Sequence, residues 1–80
     1  MTEPNVKLVK CFAAVFPNLS EEQIPDCNME NVSEWDSLAT VTLASVLDQE
    51  FGTAIDVLDL LELRSFGAAQ EYLRERHLIS

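Results

Sequence analysis

The chain has 80 residues, too few for more than one small domain with a modest core. Its apolar content of 48% and its few prolines and glycines exclude a disordered or fibrous chain. Fourteen acids against five bases give a net charge of -9, which argues against nucleic acid and anionic membranes as partners, since both demand Lys and Arg. The asymmetry is sharper in the middle, where eleven acids and no base lie between Ser20 and Leu63. Such a field steers in a protein with a basic patch.

Val6, Val9, Phe12, Ala13 and Phe16 recur at three and four, so a first amphipathic helix is expected from about Glu3 to Phe16. Pro4 suits its first turn, and Pro17 and Asn18 end it. Ser20-Glu21-Glu22-Gln23 has the capping-box pattern, which predicts a single helical turn stopped by Pro25. The rest of residues 19–35 reads as a long acidic loop, of the kind that is usually functional or mobile. Within it, Trp35 reads as an anchor to the body of the domain.

A second helix is expected to begin near Asp36 or Ser37, either of which can cap it, and to end at Gly52. Thr53-Ala54-Ile55 is a short connection. "DVLDLLEL" predicts a short helix with Asp56 as its cap and Val57, Leu60, Leu61 and Leu63 apolar enough to pack. Ser65 caps a last helix to about Arg76, burying Phe66, Ala69, Tyr72 and Leu73, with Arg74 and Arg76 favourably placed at its negative end. The expected fold is all-α, a small four-helix bundle with three main helices, one short third helix and a long loop after the first.

At about 100° per residue, Leu43, Val46, Leu47 and Phe51 form one stripe of the second helix that faces the core. Leu38, Val41 and Ser45 fall on the opposite side, flanked by Thr42, Asp48 and Gln49. That side is expected to be largely exposed, with two aliphatic residues beside a serine at the helix start. Leu38 and Val41 could cover the long loop, and Ser37 could be a plain cap; neither reading needs a further function.

Enzyme-like constellations are weak. His77 would have to serve any Ser-His-Asp triad, including a small hydrolase built on Ser37, and it lies far along the chain. The glycines form no phosphate loop, and Asp56 and Asp59 do not match a calcium loop. Cys11 and Cys27 match no metal spacing and read as buried or idle thiols of a reducing, cytoplasmic setting. "CFAAVF" is too short for a signal-peptide core, and no segment could span a membrane.

Asp36-Ser37-Leu38, Val41, Leu43, Leu47 and Glu50-Phe51-Gly52 together resemble the acyl carrier proteins and their peptidyl and aminoacyl carrier relatives. The similarity covers most of the chain, including the short acidic third helix and the Tyr72-Leu73 helix. It implies a free-standing, non-catalytic carrier with 4'-phosphopantetheine attached at Ser37, beside Asp36. In the family a phosphopantetheinyl transferase takes the arm from coenzyme A with magnesium. The arm's thiol then carries a thioester between enzymes of a fatty-acid, polyketide or other specialised pathway. The partners so implied are the transferase, an acyl- or aminoacyl-loading ligase or transferase, and downstream synthase enzymes with basic docking patches.

By the same resemblance Leu38, Val41, Thr42, Ser45, Asp48 and Ile55 are docking positions, and Asp36, Asp48 and Glu50 meet basic patches. The sequence departs from many fatty-acid carriers at Thr42, Ser45 and Asp56. Trp35 is more reminiscent of polyketide and peptide pathways. An aminoacyl or peptidyl carrier is the alternative, as is an interaction module that never takes an arm. A monomer suits a shuttle.

Overall fold

The computed structural model describes residues 5–79. Three α-helices, α1 (Val6–Val15), α2 (Ser37–Phe51) and α3 (Phe66–Glu75), are joined by segments that each hold one 3-10 helix, Ile24–Asp26 and Leu58–Glu62. No strand occurs among the described residues; one isolated antiparallel bridge pairs Asn28 with Ser65. The fold is the expected all-α one, with the short third helix present in 3-10 form.

Helix α1 starts at Val6 rather than Glu3. Asn5 is extended (φ -67°, ψ 121°) and its Oδ1 accepts the Leu8 amide at 3.0 Å, so the N-cap sits there. The expected first turn at Glu3 and Pro4 lies outside the described residues. The buried face also shifts: Leu8, Cys11, Phe12 and Phe16 are buried, Val9 and Ala13 are half-buried, and Val6 is 68% exposed. Residues 8, 11, 12 and 16 satisfy helical spacing as well as 6, 9, 12, 13 and 16 do, and packing against α2 selects between them. Pro17 disfavours helical backbone at Phe16 (φ -123°, ψ 74°), which ends the helix.

The long connection is pinned rather than loose. Ile24, Cys27, Val32 and Trp35 are buried in the core. Half of the expected capping box forms, with Gln23 Oε1 accepting the Ser20 amide at 2.9 Å. Pro25 lies inside the 3-10 helix instead of stopping a turn before it. A proline early in a helix loses no hydrogen bond, because its missing N–H would have no partner there. Asn28 Oδ1 accepts the amides of Glu30 and Asn31 at 2.8 and 2.9 Å, which closes the next bend. The bridge joins this segment to the start of α3, through Met29 N–H to Arg64 O and Phe66 N–H to Cys27 O, each 3.0 Å.

Trp35 anchors the end of the connection, as expected. Its ring meets Phe12 edge-on at 5.6 Å and Phe16 at 5.1 Å, and its Nε1 donates to Thr40 Oγ1 at 2.9 Å. On α2 the fully buried residues are Thr40, Leu43, Ala44 and Leu47, while Val46 and Phe51 are only half-buried at the stripe's edges. Lys7 Nζ lies 4.8 Å over the Phe51 ring and screens it. Gly52 closes α2 in the left-handed region at φ 66°.

The Leu58–Glu62 segment departs most from expectation. Leu60 is half-buried and Leu63 fully buried, but Val57, Leu58 and Leu61 are 75%, 74% and 74% exposed. An α-helix would set Val57, Leu60 and Leu61 on one face. With three residues per turn, the 3-10 form aligns Leu60 with Leu63 inward and Leu58 with Leu61 outward, while Val57, the N-cap before the helix begins, stays exposed. Asp56 does not cap this helix through its first-turn amides; its carboxylate takes the adjacent Val57 N–H at 2.6 Å, and Val57 occupies the N-cap position.

Helix α3 follows the sequence reading. Ser65 Oγ accepts the Ala68 amide at 3.0 Å, and Phe66, Ala69, Tyr72 and Leu73 are buried. Its end is a Schellman motif, with Leu78 N–H on Leu73 O and His77 N–H on Arg74 O, each 3.0 Å. His77, the histidine that any Ser-His-Asp triad would need, takes the left-handed position of that motif at φ 59°. Tyr72 Oη donates to Asp59 Oδ2 at 2.7 Å, Arg76 reaches the same oxygen at 3.3 Å, and its guanidinium lies 3.6 Å over the Tyr72 ring. This cluster ties the 3-10 segment to α3.

Candidate functional site

The head of α2 divides two tasks between adjacent residues. Asp36 is extended and its Oδ1 accepts the Ala39 amide at 2.8 Å, so Asp36 is the N-cap. Ser37, which the sequence left as an equal candidate for that cap, is the first helical residue and is exposed. Among the described residues nothing hydrogen-bonds to its hydroxyl. The Ser37 and Leu38 amides are likewise without a protein acceptor there, as first-turn amides are unless something caps them. Trp35 behind and Thr40 ahead fix the turn, since Thr40 Oγ1 also donates to the Asp36 carbonyl at 3.1 Å.

Ser37 borders an open groove of about 580 Å³ between α2, the Leu58–Glu62 segment and Met29. Thr40 and Val41 line it from α2 and Val57, Leu60 and Leu61 from the opposite wall, with Arg64 also in the lining. The outward turn of Leu61 in this wall was not expected from the sequence, where Val57, Leu60, Leu61 and Leu63 read alike as packing residues.

The residues expected beside Ser37 are distributed as follows. Leu38 is 73% and Val41 47% exposed; Thr42 and Ser45 are exposed on the same side of α2. Thr42 Oγ1 donates back to the Leu38 carbonyl at 3.1 Å. Asp48, expected on that exposed side, is half-buried and turned to the connection after α2. Its Oδ1 accepts the Thr53 hydroxyl and, at 3.0 Å, the Ile55 amide. Ile55 is thereby held half-buried against the core.

No other chemistry competes nearby. Both cysteines are buried and free. Burial, reinforced by Glu50 and opposed by Lys7, raises the Cys11 thiol, and burial pushes the Cys27 thiol up to about 11. Both stay protonated and unreactive near neutral pH. No cluster of three potential metal ligands occurs among the described residues, and none of their helices is long and apolar enough to cross a membrane.

An exposed serine without a hydrogen-bond partner at the start of a helix, beside an apolar groove, is open to covalent modification. A family model described as the phosphopantetheine attachment site matches residues 7–73. The chain therefore belongs to the phosphopantetheine-binding carrier family, and is a phosphopantetheine-carrying protein of acyl or peptidyl carrier type. No curated protein and no solved structure matches it.

The residues fit such a group. A phosphodiester on the Ser37 oxygen would stand beside two open amides at the positive end of a 15-residue helix. An arm extending from it has the groove at hand. Domains of this family are in general not themselves catalytic.

Proposed function

We propose that Ser37 is the attachment residue and that the chain carries acyl intermediates of a fatty-acid, polyketide or other specialised pathway. The reading rests on one observation above all: Asp36 caps α2, so the neighbouring Ser37 hydroxyl is exposed and uncommitted. Attachment needs a hydroxyl that a transferase can reach and deprotonate without first breaking a structural bond. The arm supplies a terminal thiol, which holds cargo as a thioester; the chain's own part is to present, orient and dock.

Leu38, Val41, Thr42 and Ser45 form the docking face of α2 in this reading, with Ile55 at its far end. Asp48 contributes by fixing the backbone around Ile55, in addition to its charge. The surrounding acids steer basic partners, whose on-rates rise with charge, while the small apolar contact sets the lifetime. A shuttle has to be released, so a small contact suits it.

The test is to incubate the unmodified protein with a broad-specificity phosphopantetheinyl transferase, coenzyme A and magnesium, and to weigh the intact product. The expected result is a single phosphopantetheine adduct that is absent from Ser37→Ala. An adduct that survives Ser37→Ala, or none on the folded wild type, overturns the assignment.

A further inference from the structure

Arg64 is the only base in the span from Cys11 to Leu73. It lines the same groove as Ser37. Among the described residues its guanidinium makes no ion pair, although Arg74 pairs with Glu71 and Arg76 with Asp59. Glu30 shares a shallow hollow with Arg64 on the other side, with Asn28 and Met29, but lies beyond ion-pair distance. A lone cation in so acidic a chain would normally be drawn to a carboxylate. Its backbone, moreover, is fixed: the Arg64 carbonyl accepts the Met29 amide at 3.0 Å in the bridge beside α3.

The groove is of ligand size, since small-molecule sites typically enclose about 300–1,000 Å³. Its walls at Val41, Val57, Leu60 and Leu61 are apolar and Arg64 adds one cation to the lining. Apolar walls with one charged group that fixes orientation are the usual make-up of a small-molecule site. A guanidinium fork matches the two oxygens of a carboxylate or a phosphate.

We propose that Arg64 binds an oxyanion tethered through Ser37, either the phosphodiester of the arm or a carboxylate at the free end of its cargo; in the second case it favours acyl groups that end in a negative charge. This rests on attachment at Ser37. The surrounding carboxylates repel an anion from the neighbouring surface, which leaves Arg64 as the one base among the residues that line the groove.

The experiment compares four forms of the ¹⁵N-labelled protein: unmodified, carrying the arm with a free thiol, and carrying it with malonyl or with isovaleryl cargo. Isovaleryl is close to malonyl in shape but neutral. The cargo forms are made by offering the transferase the corresponding acyl coenzyme A. Intact mass first verifies loading, and the Arg64 Nε–Hε signal, assigned by its loss in Arg64→Gln, is then followed. Arg64→Gln changes only an exposed side chain and leaves the bridge intact, which circular dichroism verifies.

A shift common to all three modified forms, matched by a displaced ³¹P signal in Arg64→Gln, assigns the phosphodiester. A shift confined to the malonyl form assigns the cargo carboxylate. A signal unmoved in all loaded forms overturns the inference while leaving attachment intact. Absence of any mass gain at Ser37 overturns both.

Discussion

The division of labour at the head of α2 makes a quantitative demand. Asp36→Ala removes the oxygen that accepts the Ala39 amide at 2.8 Å, and with it the cap of a 15-residue helix. Such losses cost about 1 kcal/mol, within a range of about 0.5–2. Relief of repulsion in so acidic a chain offsets a few tenths at most, as exposed charge pairs are worth about that much. For a domain this small, 1 kcal/mol lowers Tm by about 4–8 °C. With a urea m-value of about 1 kcal/mol/M, the midpoint falls by about 1 M.

Ser37→Ala removes a hydroxyl that bonds to nothing and installs the best helix former at the first helical position. Its change is expected within about 0.5 kcal/mol of zero. Asp36→Ser keeps a short acceptor oxygen without the charge and is expected to recover most of the loss. Urea unfolding followed by the single, buried Trp35 measures all three. A Ser37→Ala loss equal to or larger than that of Asp36→Ala would refute the reasoning, because it would make Ser37 the cap and leave its hydroxyl committed.

Three further outcomes follow from the packing. Thr40→Val strands the buried Trp35 N–H without its acceptor and is expected to cost about 1–3 kcal/mol in the same urea assay, with Thr40→Ser restoring most of it. Gly52→Ala is expected to cost about 1 kcal/mol although nothing lies within 4 Å of the added carbon, since the penalty is the left-handed backbone itself; Gly52→Asn should cost less. Tyr72→Phe, which removes the shorter of the two bonds that hold Asp59 and leaves the one from Arg76, is expected to cost about 1 kcal/mol at neutral pH. Burial first, and then the bond to Asp59, raise the Tyr72 hydroxyl from 10.0 to about 12, against the lowering effect of Arg76. The unfolded chain thus loses this proton first as pH rises, so the contribution is complete below pH 10 and is lost as pH climbs towards 12. Urea midpoints of wild type and Tyr72→Phe should converge over that interval.

Helices α2 and α3 were legible because their signals are local and redundant. Ser65 offers a cap, Phe66, Ala69, Tyr72 and Leu73 one face, and Gly52 a stop, and each agrees with the others. The face of α1 was not, since two sets of apolar residues fit one helical period and only the partner helix decides between them. The choice between Asp36 and Ser37 as cap was equally closed to the sequence, because both side chains can accept the same amides. Leu58 and Leu61 defeated it for a geometric reason: a period of 3.0 instead of 3.6 turns a leucine outward, and no residue type announces a 3-10 turn. The exposed Leu61 in the wall of the groove comes from that same change of period.

That period also explains how the surface around Ser37 stays both apolar and uncovered. Had Leu58–Glu62 been α-helical, Leu61 would have shared with Leu60 a face turned to the core. As a 3-10 segment it gives Leu60 and Leu63 to the core and turns Leu58 and Leu61 to water beside the exposed N-cap Val57, a configuration that costs stability and invites self-association. The charge of -9 answers the second problem, because two copies repel one another before their apolar walls can meet. The same field attracts a basic partner. One charge distribution therefore disfavours contact between copies of the chain and favours a basic partner, which helps to make the exposed leucines tolerable. Neutralising several of the acids should for that reason promote self-association before it impairs folding.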